Sequence, residues 1–198
     1  AEARLGVRAV TEIVALCGEW RSEELMDLEE RYVSLFVRVR SLSLHLFEHV
    51  HGESRDRGQA MVDLVAAYRK NGFELAAKEL PDYLPLVLEY LSQRPAEEAR
   101  DWLHHVGHIV SLLAARAAER GSSYALLFEV LAEYADAKFD AGVLRRRARE
   151  EPRDDTAEAM DRVWEEEAVR FGAEMPKDDC SPNGRAPERG AASQRVQP

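Results

Sequence analysis

Apolar residues recur every three to four positions along this chain, and nowhere do they alternate with polar residues in the two-residue rhythm of a half-buried strand. That periodicity restricts the fold to helices packed on helices, with glycine and proline marking where one ends and the next begins. A first helix is expected over about Glu2–Leu16, with Gly18 near its stop. Ser22 is the expected N-cap of a second, whose stripe of Leu25, Leu28, Tyr32, Leu35 and Phe36 continues through Leu42, Leu46, Phe47 and Val50 to Gly52. Unbroken, that helix would be about 40 Å long. A break near Ser41 fits the pattern equally well.

The next helix is expected over Asp56–Asn71, with Met61, Leu64, Val65 and Tyr68 inward and Gly72 as its left-handed stop. Pro81 and Pro85 bracket a helix start at Asp82–Tyr83, with Leu84, Val87, Leu88 and Leu91 on the buried face. Pro95 opens a helix expected to run to Arg120, burying Leu103, Val106, Val110, Leu113 and Ala117 and ending at Gly121. Ser122 or Ser123 caps one more, with Leu127, Phe128, Leu131 and Tyr134 in the core. Short connections imply antiparallel neighbours. The fold class is therefore all-α: a single-domain antiparallel helical bundle over residues 1–171, followed by a disordered acidic C-terminal tail over 172–198.

The tail stands apart by composition. From Glu150 onward 13 acidic residues face 7 basic ones. Thr156–Phe171 has the pattern of a short amphipathic helix carrying Trp164, with Asp155 and Glu158 at capping-box spacing. Beyond Gly172 the residues are mostly Pro, Gly, Ser, Arg and Asp, which bury too little apolar surface to order a chain.

A chain of 198 residues buries a core without needing a disulfide or a metal. Its net charge of -10 argues against nucleic acid, because phosphate contacts need clustered Lys and Arg. An acidic surface instead favours a basic peptide or protein. Cys17 and Cys180 cannot by themselves hold an iron–sulfur cluster. No apolar run approaches the roughly 20 residues needed to cross a bilayer, so a cytoplasmic protein without stable membrane association is expected. The chain opens at Ala1 without an initiator Met, which suggests that residues precede it.

The side chains able to do chemistry are concentrated between Leu42 and Leu64, yet no catalytic arrangement is recognisable among them. His45/His49 and His104/His108 have the i, i+4 spacing of two metal ligands on one helical face, and Glu48 or Glu53 would complete a set. No cysteine assists and no His-Glu-x-x-His motif occurs, so no metal or cofactor is expected. The Gly52–Gly58 turn carries Arg55 and Arg57, which could grip an anion, but it has no Gly-Lys-Ser/Thr and follows no strand. A small metal- or nucleotide-binding regulator built on the histidines and the 52–58 turn is the alternative reading. The basic run Arg145–Arg149 reads as a solvated helix end that complements the dipole. Tyr32, Phe36, Phe47, Tyr83, Tyr90 and Phe128 fall at helical spacing as core, and a subset could line a groove for an amphipathic peptide helix.

Three stretches carry a resemblance. Tyr32-Val33-Ser34-Leu35-Phe36, the run from Ser41 to Leu64, and Leu80-Pro81-Asp82-Tyr83-Leu84-Pro85-Leu86 closely resemble the respiratory nitrate reductase assembly chaperones of the NarJ type, a branch of the all-helical chaperones for molybdenum enzymes. The similarity extends from about Asp27 to Gly172 and includes Asp155-Thr156 and Trp164-Glu165-Glu166-Glu167. The resemblance implies a protein that catalyses no reaction and holds no cofactor. It would bind the immature catalytic (alpha) subunit of nitrate reductase in the cytoplasm, partly through that subunit's N-terminal peptide. It would keep the subunit competent for molybdenum cofactor insertion and delay its docking at the membrane.

The family usually has Asp after the Leu-Phe pair, where this chain has Val37, and the start looks abbreviated relative to the family. The expected contact region comprises Tyr32, Phe36, Arg40, Leu44, Glu48, His49, His51, Glu53, Arg55 and Asp56. Apolar side chains there would supply affinity and the acids would orient the partner's positive charges. Protonation of His49 or His51 near neutral pH would tune release.

Overall fold

The structure, a computed structural model, describes residues 6–52, 54–75 and 78–162. Among these lie nine α-helices: α1 (Val7–Ser22), α2 (Leu25–Tyr32), α3 (Leu46–His51), α4 (Arg55–Lys70), α5 (Leu84–Ser92), α6 (Ala96–His105), α7 (Gly107–Glu119), α8 (Ala125–Tyr134) and α9 (Ala141–Glu150). A π-helical turn, Val33–Val37, extends α2, and a 3-10 turn, Arg40–Leu42, precedes α3. Residues 157–162 are also helical. No strand occurs among the described residues; one isolated antiparallel bridge joins His45 to Tyr83. The all-α expectation is met. Described residues up to Met160 form one compact unit, and of a second unit, Asp161–Pro198, only the first two residues are described. The expected boundary at 171/172 and the helix around Trp164 lie outside the described residues.

The core is organised around α7, a helix apolar on most of its faces, as a buried helix must be. Ile109, Val110, Leu113 and Ala117 are each at most 2% exposed. Helices α8 and α9 pack on α7, as does the 3-10 turn, while α8 also meets α1 and α6. Leu42 in the 3-10 turn is fully buried, which contributes about 1.5–3 kcal/mol of hydrophobic stabilisation. Gly107 at the start of α7 lies so close to α8's exit that an added Cβ would stand 2.8 Å from Ala137 Cβ.

Several expected boundaries are confirmed. Leu84, Val87 and Leu91 are buried on α5, and Gly72 and Gly121 take φ of +78° and +65° beyond the ends of α4 and α7. Others move. Helix α1 runs through Gly18 to Ser22, whose hydroxyl donates to the Glu19 carbonyl instead of capping the next helix. The long second helix breaks after Val37. Val33, Val37 and Val39 are β-branched and weak helix formers, and from Val39 the chain is extended or turned until α3. Leu25 and Val50, expected inward, are 67% and 53% exposed. The helix expected from Pro95 to Arg120 is two, because Val106 leaves the helical region at φ −97° and ψ 5°. Thr156, not Asp155, supplies the cap on the last described helix: its hydroxyl accepts from the Ala159 N–H.

Candidate functional site

Breaking the second helix creates a concavity. The extended segment Ser43–His45 runs antiparallel beside Asp82–Leu84: the Leu84 N–H donates to the Leu44 carbonyl at 2.9 Å and the Leu46 N–H to the Asp82 carbonyl at 3.1 Å. Asp82 is completely buried, and its Oδ2 accepts from the Phe47 N–H at 3.0 Å. A residue far along the chain thus caps α3, satisfying an N–H that the helix start leaves open. Tyr68 secures the same segment by donating its hydroxyl to the Pro81 carbonyl at 2.7 Å. The Leu80–Leu86 run therefore acts as a brace that holds the extended segment open.

The resulting groove, about 490 Å³, is lined by Tyr32, Phe36 and Val37 from the end of the broken helix, by Val39, Arg40, Ser43, Leu44, His45 and Glu48 from the segment that follows, and by Glu79 and Tyr83. Its walls are tied together by a hydrogen bond between the Tyr32 and Tyr83 hydroxyls. Behind them the rings continue inward, with Tyr32 to Phe36 at 5.1 Å, Phe36 to Tyr124 at 4.9 Å and Tyr124 to Trp20 at 4.8 Å. Such tilted and edge-on pairs are the favoured geometry of aromatic clusters. Burial pushes the Tyr32 phenol well above its ordinary value, and the bond to Tyr83 adds to that, so it stays a neutral hydrogen-bonding group. At Glu48 burial pushes upward, but the Ser43 hydroxyl and the charge of Arg57, 3.3 Å away, outweigh it. The Glu48 carboxyl is held below the usual range and presents a negative charge at neutral pH.

A second set of contacts fixes the groove's base from behind. Arg116 donates two bonds to Glu151, at 2.6 and 2.8 Å, and a third to the Ser41 carbonyl at 2.7 Å. Arg120 donates to both the Ser41 hydroxyl and Asp154, at 2.8 and 2.6 Å. Residues 151–155 thereby form a strap clamped onto the 3-10 turn that carries Arg40.

Of the contact residues expected from sequence, Tyr32, Phe36, Arg40, Leu44 and Glu48 come together in the groove. His49, His51, Arg55 and Asp56 do not line it. The His49 ring points away, donating to the Ser43 carbonyl at 2.8 Å, and burial holds its pKa below the ordinary 6.5. His51 packs against Phe47 with ring centres 5.7 Å apart. Arg55 and Asp56 are exposed in the first turn of α4, which is capped by Ser54. Glu53 lies outside the described residues. The expected contact region left out His45 and Glu79, which line the groove, Tyr83, named only among the aromatics that could line one, and Asp82, which braces it; the signal for Asp82 was an acid standing between two prolines in an apolar run.

The features behind the alternative reading are used differently. The expected turn over Gly52–Gly58 is shortened, because α4 begins at Arg55 and contains Gly58, and Arg57 pairs with Glu48. His45 precedes α3, so it shares no helical face with His49. The break at Val106 likewise separates His104, bonded to the Ala135 carbonyl at 3.0 Å, from His108, which packs near the Phe139 ring. Among the described residues no three His, Cys, Asp or Glu side chains gather as metal ligands. No helix among them is long and apolar enough to cross a membrane.

Comparison with known proteins gives this architecture its relatives. Residues 2–129 match the family described as nitrate reductase delta subunit. The chain is 51% identical over 149 residues to the nitrate reductase molybdenum cofactor assembly chaperone NarJ of Escherichia coli K12, covering 75% of this chain and 63% of that protein. It is 48% identical over 147 residues to the probable assembly chaperone NarW of the same organism, covering 74% and 64%. To the probable NarJ chaperone of Bacillus subtilis 168 it is 36% identical over 104 residues, covering 52% and 56%. The chain thus spans less than two thirds of the length of these curated relatives. With a family match over that much of its sequence, the chain belongs to the nitrate reductase delta subunit family.

Proposed function

We propose that this chain is a dedicated assembly chaperone that binds the immature catalytic subunit of respiratory nitrate reductase in the cytoplasm. It holds the subunit, partly by its N-terminal peptide, until the molybdenum cofactor is inserted, and releases it for docking at the membrane. It catalyses no reaction and carries no cofactor of its own. The observation that carries this reading is the groove at Tyr32 and Tyr83, lined by these aromatic rings and by the acids Glu48 and Glu79. Such a site suits an amphipathic peptide helix: apolar side chains enter against Tyr32, Phe36 and Leu44, and basic ones meet the carboxylates. The names of the relatives, which are assembly chaperones for nitrate reductase, supply the client.

The test is calorimetric titration of the client's N-terminal peptide into the wild type and into Glu48→Lys. The reading expects one-to-one binding that Glu48→Lys weakens by about tenfold or more at low salt, because charge reversal turns attraction into repulsion. Equal affinities would remove this groove from the client interface.

A further inference from the structure

We infer that His45 is the polar recognition residue of the groove: Asp82 fixes its ring so that it presents a hydrogen-bond acceptor to a Lys or Arg side chain of the bound polypeptide. The inference rests on the groove reading above and adds to it the chemistry by which one position of the client is selected.

Asp82 is 0% exposed, and while its Oδ2 accepts from Phe47, its Oδ1 has no hydrogen-bond partner. The His45 Nδ1 is also buried without one, and the two atoms face each other at 3.5 Å. A carboxylate oxygen only accepts, so this juxtaposition favours the tautomer that carries its proton on Nδ1. The other ring nitrogen, Nε2, is then left with a lone pair, as when a buried carboxylate orients a working histidine. The backbone around the ring is fixed: the His45 backbone N–H donates to the Ser43 hydroxyl at 3.2 Å and the residue bridges to Tyr83, whose ring lies 5.5 Å from the imidazole. With Nδ1 buried and the side chain 27% exposed, the edge left at the groove carries Nε2.

Glu48 and Glu79 line the same groove, as does Arg40, and an acceptor nitrogen there takes a cationic N–H donor in preference to a carboxylate, which would find no proton on it. Hydrogen bonds to charged groups are the stronger ones, so the contact accounts for about a tenfold difference in affinity.

The test uses the full chain at pH 8 and the N-terminal peptide of the catalytic subunit, with each Lys or Arg of the peptide replaced in turn by norleucine. Three proteins are titrated. His45→Phe keeps the ring but removes the acceptor. Asp82→Asn turns a donor toward Nδ1 and so places the proton on Nε2. The wild type serves as reference, and thermal melts establish that each variant is folded. The expected result is that both variants bind the natural peptide about tenfold more weakly. One norleucine substitution should weaken the wild type by the same factor while changing His45→Phe less than about twofold, the signature of a direct pair. His45→Phe binding as tightly as wild type, or peptide and protein substitutions acting additively at every basic position, overturns the inference and leaves the groove reading standing. A wild type that does not bind the peptide at all overturns both.

Discussion

Asp154 accepts hydrogen bonds from both the backbone N–H and the hydroxyl of Ser41, each at 2.8 Å, across a sequence separation of 113 residues. Ser41 neighbours Arg40, so the strap of residues 151–155 holds in place a turn that lines the groove. The two arginines that complete the clamp, Arg116 and Arg120, have side chains only 13% and 11% exposed. Their charges lie largely out of water and depend on these carboxylates.

Asp154→Ala leaves Arg120 short of a partner and frees two donors of Ser41. The expected loss in unfolding free energy is about 2 kcal/mol, since stranding a largely buried donor or charge costs more than the net value of the bond. Urea titration measures it, and Asp154→Asn, which retains an acceptor, should lose less. An alanine variant as stable as wild type would show that the strap is not clamped in solution.

The strap also makes stability depend on acid. The bonds from Arg116 hold the Glu151 carboxyl below the ordinary 4.5, and those from Arg153 hold Asp155 below 3.8. A carboxyl whose folded value is depressed stabilises the protein at pH above its unfolded value, and that contribution is lost as pH falls through the folded one. Stability should therefore decline from pH 4.5 downward, and Glu151→Gln should flatten the decline while lowering stability at neutral pH. Denaturant melts across pH 3 to 7 check both. A slope unchanged in Glu151→Gln would contradict the assignment.

Gly107 is a packing position. A methyl group there would stand 2.8 Å from Ala137 Cβ, a contact with no flexible side chain to yield. Gly107→Ala should destabilise by about 1–3 kcal/mol despite alanine's better helix propensity, because overpacking outweighs the gain of about 1 kcal/mol. A thermal melt decides the sign.

Val37 lines the groove and is 67% exposed. Val37→Asp adds a third carboxylate to the groove beside Glu48 and Glu79. Affinity for a basic client peptide should rise about three- to tenfold at low salt, and the gain should shrink as salt screens it. Affinity that falls instead would mean that Val37 contributes chiefly as an apolar contact.

What the sequence revealed follows from which forces act locally. Leu84, Val87 and Leu91 share a face because α5 is regular, and Gly72 and Gly121 stop helices through their own backbone freedom. Phe36, Leu44 and Glu48 were legible as a group because they lie close together in the sequence. Tyr83 and His45 were not, since their proximity depends on a bridge between segments distant in sequence. Asp82 defeats pattern reading for another reason: acids are seldom fully buried, and the helix end that makes its burial tolerable belongs to residues 35 positions away. His49 falls in the expected contact region by its place in the sequence, but its ring bonds to the Ser43 carbonyl and does not line the groove.

The most direct test of the central claim, that the Tyr32–Tyr83 groove holds the client, places a photo-activated cross-linking residue at Val37 and, separately, at Val143 on α9, which is also exposed. Each protein is irradiated with the immature catalytic subunit, and the adducts are mapped by mass spectrometry. The account expects position 37 to capture the client's N-terminal peptide and position 143 to capture little. Capture of that peptide at 143 but not at 37, or equally at both, would contradict it.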